Sequence, residues 1–113
     1  VHRPVAKEVT TTHHGDLDVL ESKEGLELLL RTSGPVERYS SFWLSAPRRY
    51  VIDVTGRKSA MHRKSYALDH DLVARLRIGD HGDKVRYVLD TGVAADVSAI
   101  KTSEGVRIKM QRR

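Results

Sequence analysis

Arg49, Arg75, Arg77 and Arg86, with Lys84 among them, are the residues of this chain best suited to chemistry. A guanidinium offers a planar fork of N–H donors that grips a carboxylate in bidentate fashion, so such a set points to anion recognition. Trp43 joins them as a candidate for stacking on a sugar ring. It follows Phe42, and on a strand the two point to opposite faces, so one belongs to the core and the other is free; the sequence leaves open which.

Other chemistries find less support. His13 and His14 are adjacent, His62 and His70 stand among basic residues, and His81 sits between Asp80 and Asp83, a scatter that does not gather the three or four ligands of a zinc site. There is no cysteine and no G-x-S-x-G, and serines and acids are dispersed among turns, so no nucleophilic site is assembled. No catalytic residue, metal or cofactor is expected.

The elements that carry the cations read as β-strands. Leu17 and Val19, then Leu26, Leu28 and Leu30, lie two apart on either side of the polar break Ser22 to Gly25, which is a hairpin pattern. Ser33-Gly34-Pro35 interrupts, Tyr39 to Leu44 resumes with aromatic residues, and Ala46-Pro47 turns the chain. Arg49 to Thr55 alternates Tyr50, Ile52 and Val54 against Arg49, Val51 and Asp53. From Gly56 to Asp71 the pattern dissolves into a basic crossover holding Arg57, Lys58, His62, Arg63 and Lys64. The stretch Asp69 to Leu72 also suits a short helical turn capped by an Asp, and a strand is expected from Val73 onward.

The second half runs through strands Lys84 to Asp90, Asp96 to Lys101 and Val106 to Met110. Leu26, Leu28, Leu30 and Thr32 align with Val85, Tyr87, Leu89 and Thr91, and Tyr50, Ile52 and Val54 with Val106, Ile108 and Met110. The halves repeat at roughly 56 to 59 residues. One four-stranded sheet would leave an apolar face wet, whereas two bury theirs against each other. The expectation is all-β: a sandwich of two small, pseudo-twofold-related antiparallel sheets with about eight strands. Residues 1–15 read as a flexible N-terminal arm or linker and 16–113 as the domain, a size that gives one core.

The hairpin from Val73 to Asp90 also invites a register. With Asp80 to Asp83 as the turn, Arg77 faces Arg86, Tyr87 faces Leu76 and Val88 faces Arg75. Like charges directly opposite destabilise a sheet by up to about 1 kcal/mol unless something offsets them. The offsetting group is either internal, with Asp53, Asp90 and Glu27 as candidates, or the carboxylate of a ligand.

Pro47 to Gly56 (PRRYVIDVTG), Val73 to His81 (VARLRIGDH) and Lys84 to Asp90 (KVRYVLD) resemble the AMIN domain, and the resemblance runs from about Asp16 to Met110. It implies a non-catalytic module of bacterial envelope proteins, found in N-acetylmuramoyl-L-alanine amidases and type IV pilus secretins, that binds peptidoglycan and localises its parent in the periplasm. Under it, Arg75, Arg77, Arg86, Arg49, Lys84 and Trp43 become ligand-binding candidates.

Charge and length bound the alternatives. Lys and Arg exceed Asp and Glu by 20 to 15, for a net +5, which favours anionic partners. Nucleic acid is not expected, because no RNP-like strand pair, helix-turn-helix period or zinc-finger spacing accompanies the charge. A protein-docking module of a secretin or envelope complex, pairing through an edge strand, is the rival reading. No apolar run nears the ~20 residues of a transmembrane helix. With Val1 as its first residue, the chain is expected to be a piece of a longer protein.

Overall fold

The alternation read from the sequence becomes two packed sheets in the computed structural model, which describes residues 9–113. The strands are β1 (Thr10–His14), β2 (Leu17–Glu21), β3 (Gly25–Arg31), β4 (Arg38–Leu44), β5 (Arg49–Thr55), β6 (Ser65–Ala67), β7 (Arg75–Asp80), β8 (Lys84–Asp90), β9 (Ala95–Lys101) and β10 (Gly105–Arg112). The first sheet has the order β1-β2-β3-β10-β9 and the second β4-β5-β8-β7-β6, with every pairing antiparallel. Their inner faces share one core, including Leu28, Leu30, Ile108 and Met110 from the first sheet and Ile52, Val54, Tyr87 and Leu89 from the second. Two polar ties cross it: the hydroxyl of Tyr87 donates to the Arg31 carbonyl at 2.9 Å and that of Tyr39 to the Ala99 carbonyl at 3.0 Å.

The repeat is visible in the topology. Hairpin β2–β3 lies beside β10–β9, and hairpin β7–β8 lies beside β5–β4, so exchanging the two halves of the chain converts one sheet into the other. The registers agree residue by residue. Leu30 pairs with Val106 and Leu28 with Ile108 in the centre of the first sheet; Leu89 pairs with Tyr50 and Tyr87 with Ile52 in the second. These are the equivalences that the sequence alignment gave. Buried Thr32 and Thr91 correspond as well, their amides donating to Glu104 and Arg48 carbonyls at 2.9 and 3.1 Å.

Four expectations need correction. Ten strands form among the described residues where about eight were expected, the additions being β1 and the three-residue β6. Residues 10–14, assigned above to the arm, pair with β2; their three threonines favour extended backbone without supplying an apolar alternation. Residues 1–8 of that expected arm lie outside the described residues. No helical turn forms at Asp69–Leu72. The amides of Leu68 and Asp69 both donate to the Ala74 carbonyl, closing a loop whose Leu72 and Val73 are buried, and β7 begins at Arg75. Two buried residues dropped into the core from a loop imitate the spacing of a helix face.

The last correction is the register of β7–β8. Arg77 faces Val88 and Arg86 faces Gly79, because the turn has two central residues, Gly82 and Asp83. Gly82 supplies a φ of +83°, and the His81 amide donates to the Lys84 carbonyl at 2.9 Å. The shorter turn moves each partner by two positions, which keeps every side chain on its expected face.

Candidate functional site

Period-two alternation places all the candidate cations on the outer face of the second sheet. β5 contributes Arg49, Val51 and Asp53, β8 contributes Lys84, Arg86, Val88 and Asp90, β7 contributes Arg75 and Arg77, and β4 contributes Arg38, Phe42 and Leu44. The structure therefore brings Arg49, Arg75, Arg77, Lys84 and Arg86 together. It does not bring Trp43 to them. Trp43 lies across from core residue Tyr50, on the opposite face, with the two rings edge-on and 5.0 Å between centroids.

The cations are not equally engaged. Arg86 holds Asp53 through Nε and Nη2 at 2.8 and 3.0 Å, and Lys84 Nζ stands 3.6 Å away. The Arg86 hydrogen bonds keep the Asp53 carboxyl below its ordinary pKa, outweighing the opposing effect of burial. Arg77 holds Asp90 in the same bidentate way, at 3.0 and 2.8 Å. Of the two ways to offset the arginines, the internal one is realised for this pair.

Arg49 and Arg75 differ. Both are direct cross-strand neighbours of Asp90, one on β5 and one on β7. Yet Arg77 has taken that carboxylate, so Arg49 donates to the Pro47 carbonyl at 3.2 Å and Arg75 to the Ser65 hydroxyl at 3.2 Å. Among the described residues neither has a carboxylate partner, and the same is true of Arg38. Neighbouring strands are about 4.8 Å apart, so the backbones carrying Arg49 and Arg75 stand about 10 Å apart with Asp90 between them.

Sequence reading missed Phe42 as the aromatic of this face. Phe42 is 37% exposed, and its ring centroid lies 5.6 Å from the guanidinium carbon of Arg86, a cation–π distance. Trp43 is 40% exposed although it points inward, because β4 is the last strand of its sheet. An edge strand escapes the rule that one of two adjacent aromatics must be core, and strand order is not written in local alternation.

The pseudo-twofold supplies an internal comparison. The positions equivalent to Arg75, Arg77, Arg86, Asp90 and Asp53 on the first sheet are Asp16, Asp18, Glu27, Arg31 and Lys109, so these five charges are inverted, while Arg49 and Lys84 correspond to Gly105 and Gly25. On the first sheet Glu27, cross-strand from Lys109, lies 3.9 Å from Arg107, and Arg31 reaches Asp16 at 3.3 Å, so acids and bases are balanced. The same fold thus offers two similar faces and makes only one of them cationic.

Asp16 also explains the basic crossover. Its carboxylate accepts from the Tyr66 hydroxyl and, at 2.9 Å, from the His62 amide. Burial is the largest influence on its pKa and pushes upward, but the Tyr66 and backbone hydrogen bonds together carry it below the ordinary value. The crossover is tied down through its backbone, with the Ala60 amide donating to Arg31 and the Ser33 amide to Lys58. Among the described residues no three His, Asp or Glu side chains are grouped to hold a metal ion, and no helix is long and apolar enough to cross a membrane.

Comparison with known proteins agrees with the motifs quoted above. A family model described as the AMIN domain matches residues 16–110, which is most of the chain. No curated protein and no solved structure matches.

Proposed function

Because the chain belongs to the AMIN domain family, we propose that it is the peptidoglycan-binding module of a larger bacterial envelope protein, localising that protein to the cell wall from the periplasm. AMIN domains are binding modules without catalytic residues, and an amidase or a pilus secretin would use one for the same purpose. The observation that carries the reading is the uncommitted pair Arg49 and Arg75, flanking Asp90 on the one face where the duplicated fold turned its charges positive. Peptidoglycan stem peptides present carboxylates, and a guanidinium pair spaced across three strands suits them. Phe42, beside Arg86, offers a flat apolar surface to the adjoining sugar.

Arg77 and Arg86 hold the face together, and Arg49 and Arg75 meet the ligand. Sedimentation with purified sacculi separates these roles. The wild-type chain is expected in the pellet, and a variant carrying Arg49→Gln and Arg75→Gln is expected in the supernatant with its unfolding midpoint unchanged. Retention equal to wild type in that variant, or DNA binding without any sacculus retention, would overturn the reading.

A further inference from the structure

We propose that the free edge of β4 docks a protein partner by adding to the second sheet an extended segment in which carboxylate side chains alternate with large apolar ones. This goes beyond wall binding and rests on separate observations.

Each sheet has two outer strands: β1 and β9 in the first, β4 and β6 in the second. An outer strand presents unpaired N–H and C=O groups, and proteins blunt this with short length, lysines, prolines or inward charges. β6 is only three residues long. β9 is the twofold counterpart of β4, and its residues equivalent to Arg38, Phe42 and Trp43 are Asp96, Ile100 and Lys101. Lys101 occupies the inward position and reaches the Glu37 carbonyl at 3.3 Å, which guards that edge. Among the described residues β4 has no such guard. It is seven residues long, contains neither lysine nor proline, and leaves Phe42, Trp43 and Leu44 at least 36% exposed. Two copies of one strand have diverged: β9 exposes one large apolar residue, Ile100, beside its inward lysine, whereas β4 exposes three and has no lysine.

Charge selects the occupant. An added strand would set alternate side chains beside Arg38, Phe42 and Leu44 on the outer face, where Arg38 has no carboxylate partner among the described residues and Arg86 lies over Phe42. Its remaining side chains would fall on the inner side, next to Tyr39 and the exposed part of Trp43. Acidic residues on the first set and apolar residues on the second satisfy both. A second copy of this chain fits less well. Pairing β4 with itself about Ser41 would set Tyr39 against Trp43 favourably, but it would also join two cationic faces edge to edge, with no acid on either strand.

Two capped synthetic peptides as long as β4 serve as probes, one alternating Glu with Val and one alternating Lys with Val. Nuclear magnetic resonance of the whole 113-residue chain reports shifts and amide-exchange protection strand by strand. The Glu/Val peptide is expected to bind saturably, with protection along β4 and none along β9, and the Lys/Val peptide not to bind. Trp43→Ala and Arg38→Glu, each read separately against its own folded spectrum, are each expected to weaken binding by about 10-fold. Absence of saturable binding, binding unaffected by both substitutions, protection on β9 in place of β4, or peptide-free self-association that protects β4 would each overturn the proposal. Sacculus retention by Trp43→Ala, whose side chain lies on the face opposite Arg49 and Arg75, is expected to equal that of the wild type whether or not the peptide binds, which keeps this test distinct from that of wall binding.

Discussion

Arg86 and Asp53 stand directly across the β5–β8 register and share two hydrogen bonds of 2.8 and 3.0 Å, next to the Val51–Val88 pair on the same face. Asp53 is almost wholly buried, while Arg86 keeps about a third of its side chain in water, 34%. Removing the carboxylate leaves Arg86 and Lys84 facing a neutral group. Asp53→Asn is therefore expected to destabilise the fold by about 1–2 kcal/mol, the lower part of the range for charged hydrogen bonds because Arg86 is partly solvated. Urea unfolding measures it, and a loss below about 0.3 kcal/mol would show the pair to be ornamental.

Acid should act through the same carboxylates. Asp53 and Asp16 both have folded-state pKa values below the ordinary 3.8. The unfolded chain then binds protons more readily than the folded one, so their contribution to stability is complete above about pH 5 and is lost as pH falls through the folded values. Urea midpoints taken from pH 6 to pH 3 should decline, and the decline should be shallower in Asp53→Asn. An identical acid limb in the variant would assign the effect to other groups.

Tyr66 anchors the crossover. Its hydroxyl donates to Asp16 and accepts from the Arg63 amide at 3.0 Å. Tyr66→Phe is expected to cost about 1 kcal/mol and to speed amide exchange at His62 and Arg63 far more than in β3 or β8. Uniform acceleration across the chain would mean that the crossover has no separate stability.

Gly105 opens β10 with φ +154°, and a Cβ built there would lie 1.9 Å from the Leu30 carbonyl oxygen. Gly92, by contrast, has nothing within 4 Å of the same atom. Gly105→Ala should therefore destabilise by more than about 2 kcal/mol, and Gly92→Ala by less than about 0.5 kcal/mol. Thermal unfolding of the two variants side by side decides it.

Salt should separate binding from folding. Exposed cations on a sheet face are screened over about 10 Å at 0.1 M salt and about 3 Å at 1 M. Sacculus retention is expected to fall across that range while the circular dichroism spectrum stays constant. Retention that strengthens with salt would indicate apolar capture, centred on Phe42 and Leu44.

The alternation of apolar residues made the two sheets and their duplication legible, down to pairs such as Leu28 with Ile108 and Tyr87 with Ile52. It placed the five cations on one face even though the register of Arg77 was off by two positions, since a shift of two preserves the face. Only turn geometry at Gly82 could distinguish the two registers. What local pattern could not carry was the division of labour among the arginines, because it depends on Asp53 and Asp90 arriving from particular neighbouring strands. Nor could it show that Trp43 would be exposed despite pointing inward, which follows from β4 being last in its sheet. β1 and β6 escaped for a related reason: edge strands of polar or three-residue sequence have no apolar rhythm to read.

The unequal charge of the twofold-related faces has an electrical consequence for the whole domain. It sets up an electrical asymmetry through the thickness of the sandwich, positive outside the second sheet and near neutral outside the first, which lies about 10 Å beyond it. A polyanionic layer therefore exerts a torque on the domain before contact, and approach with the second sheet leading is favoured over approach with the first. Both β1 and β10 belong to the trailing sheet, so an oriented landing leaves these two strands turned away from the layer.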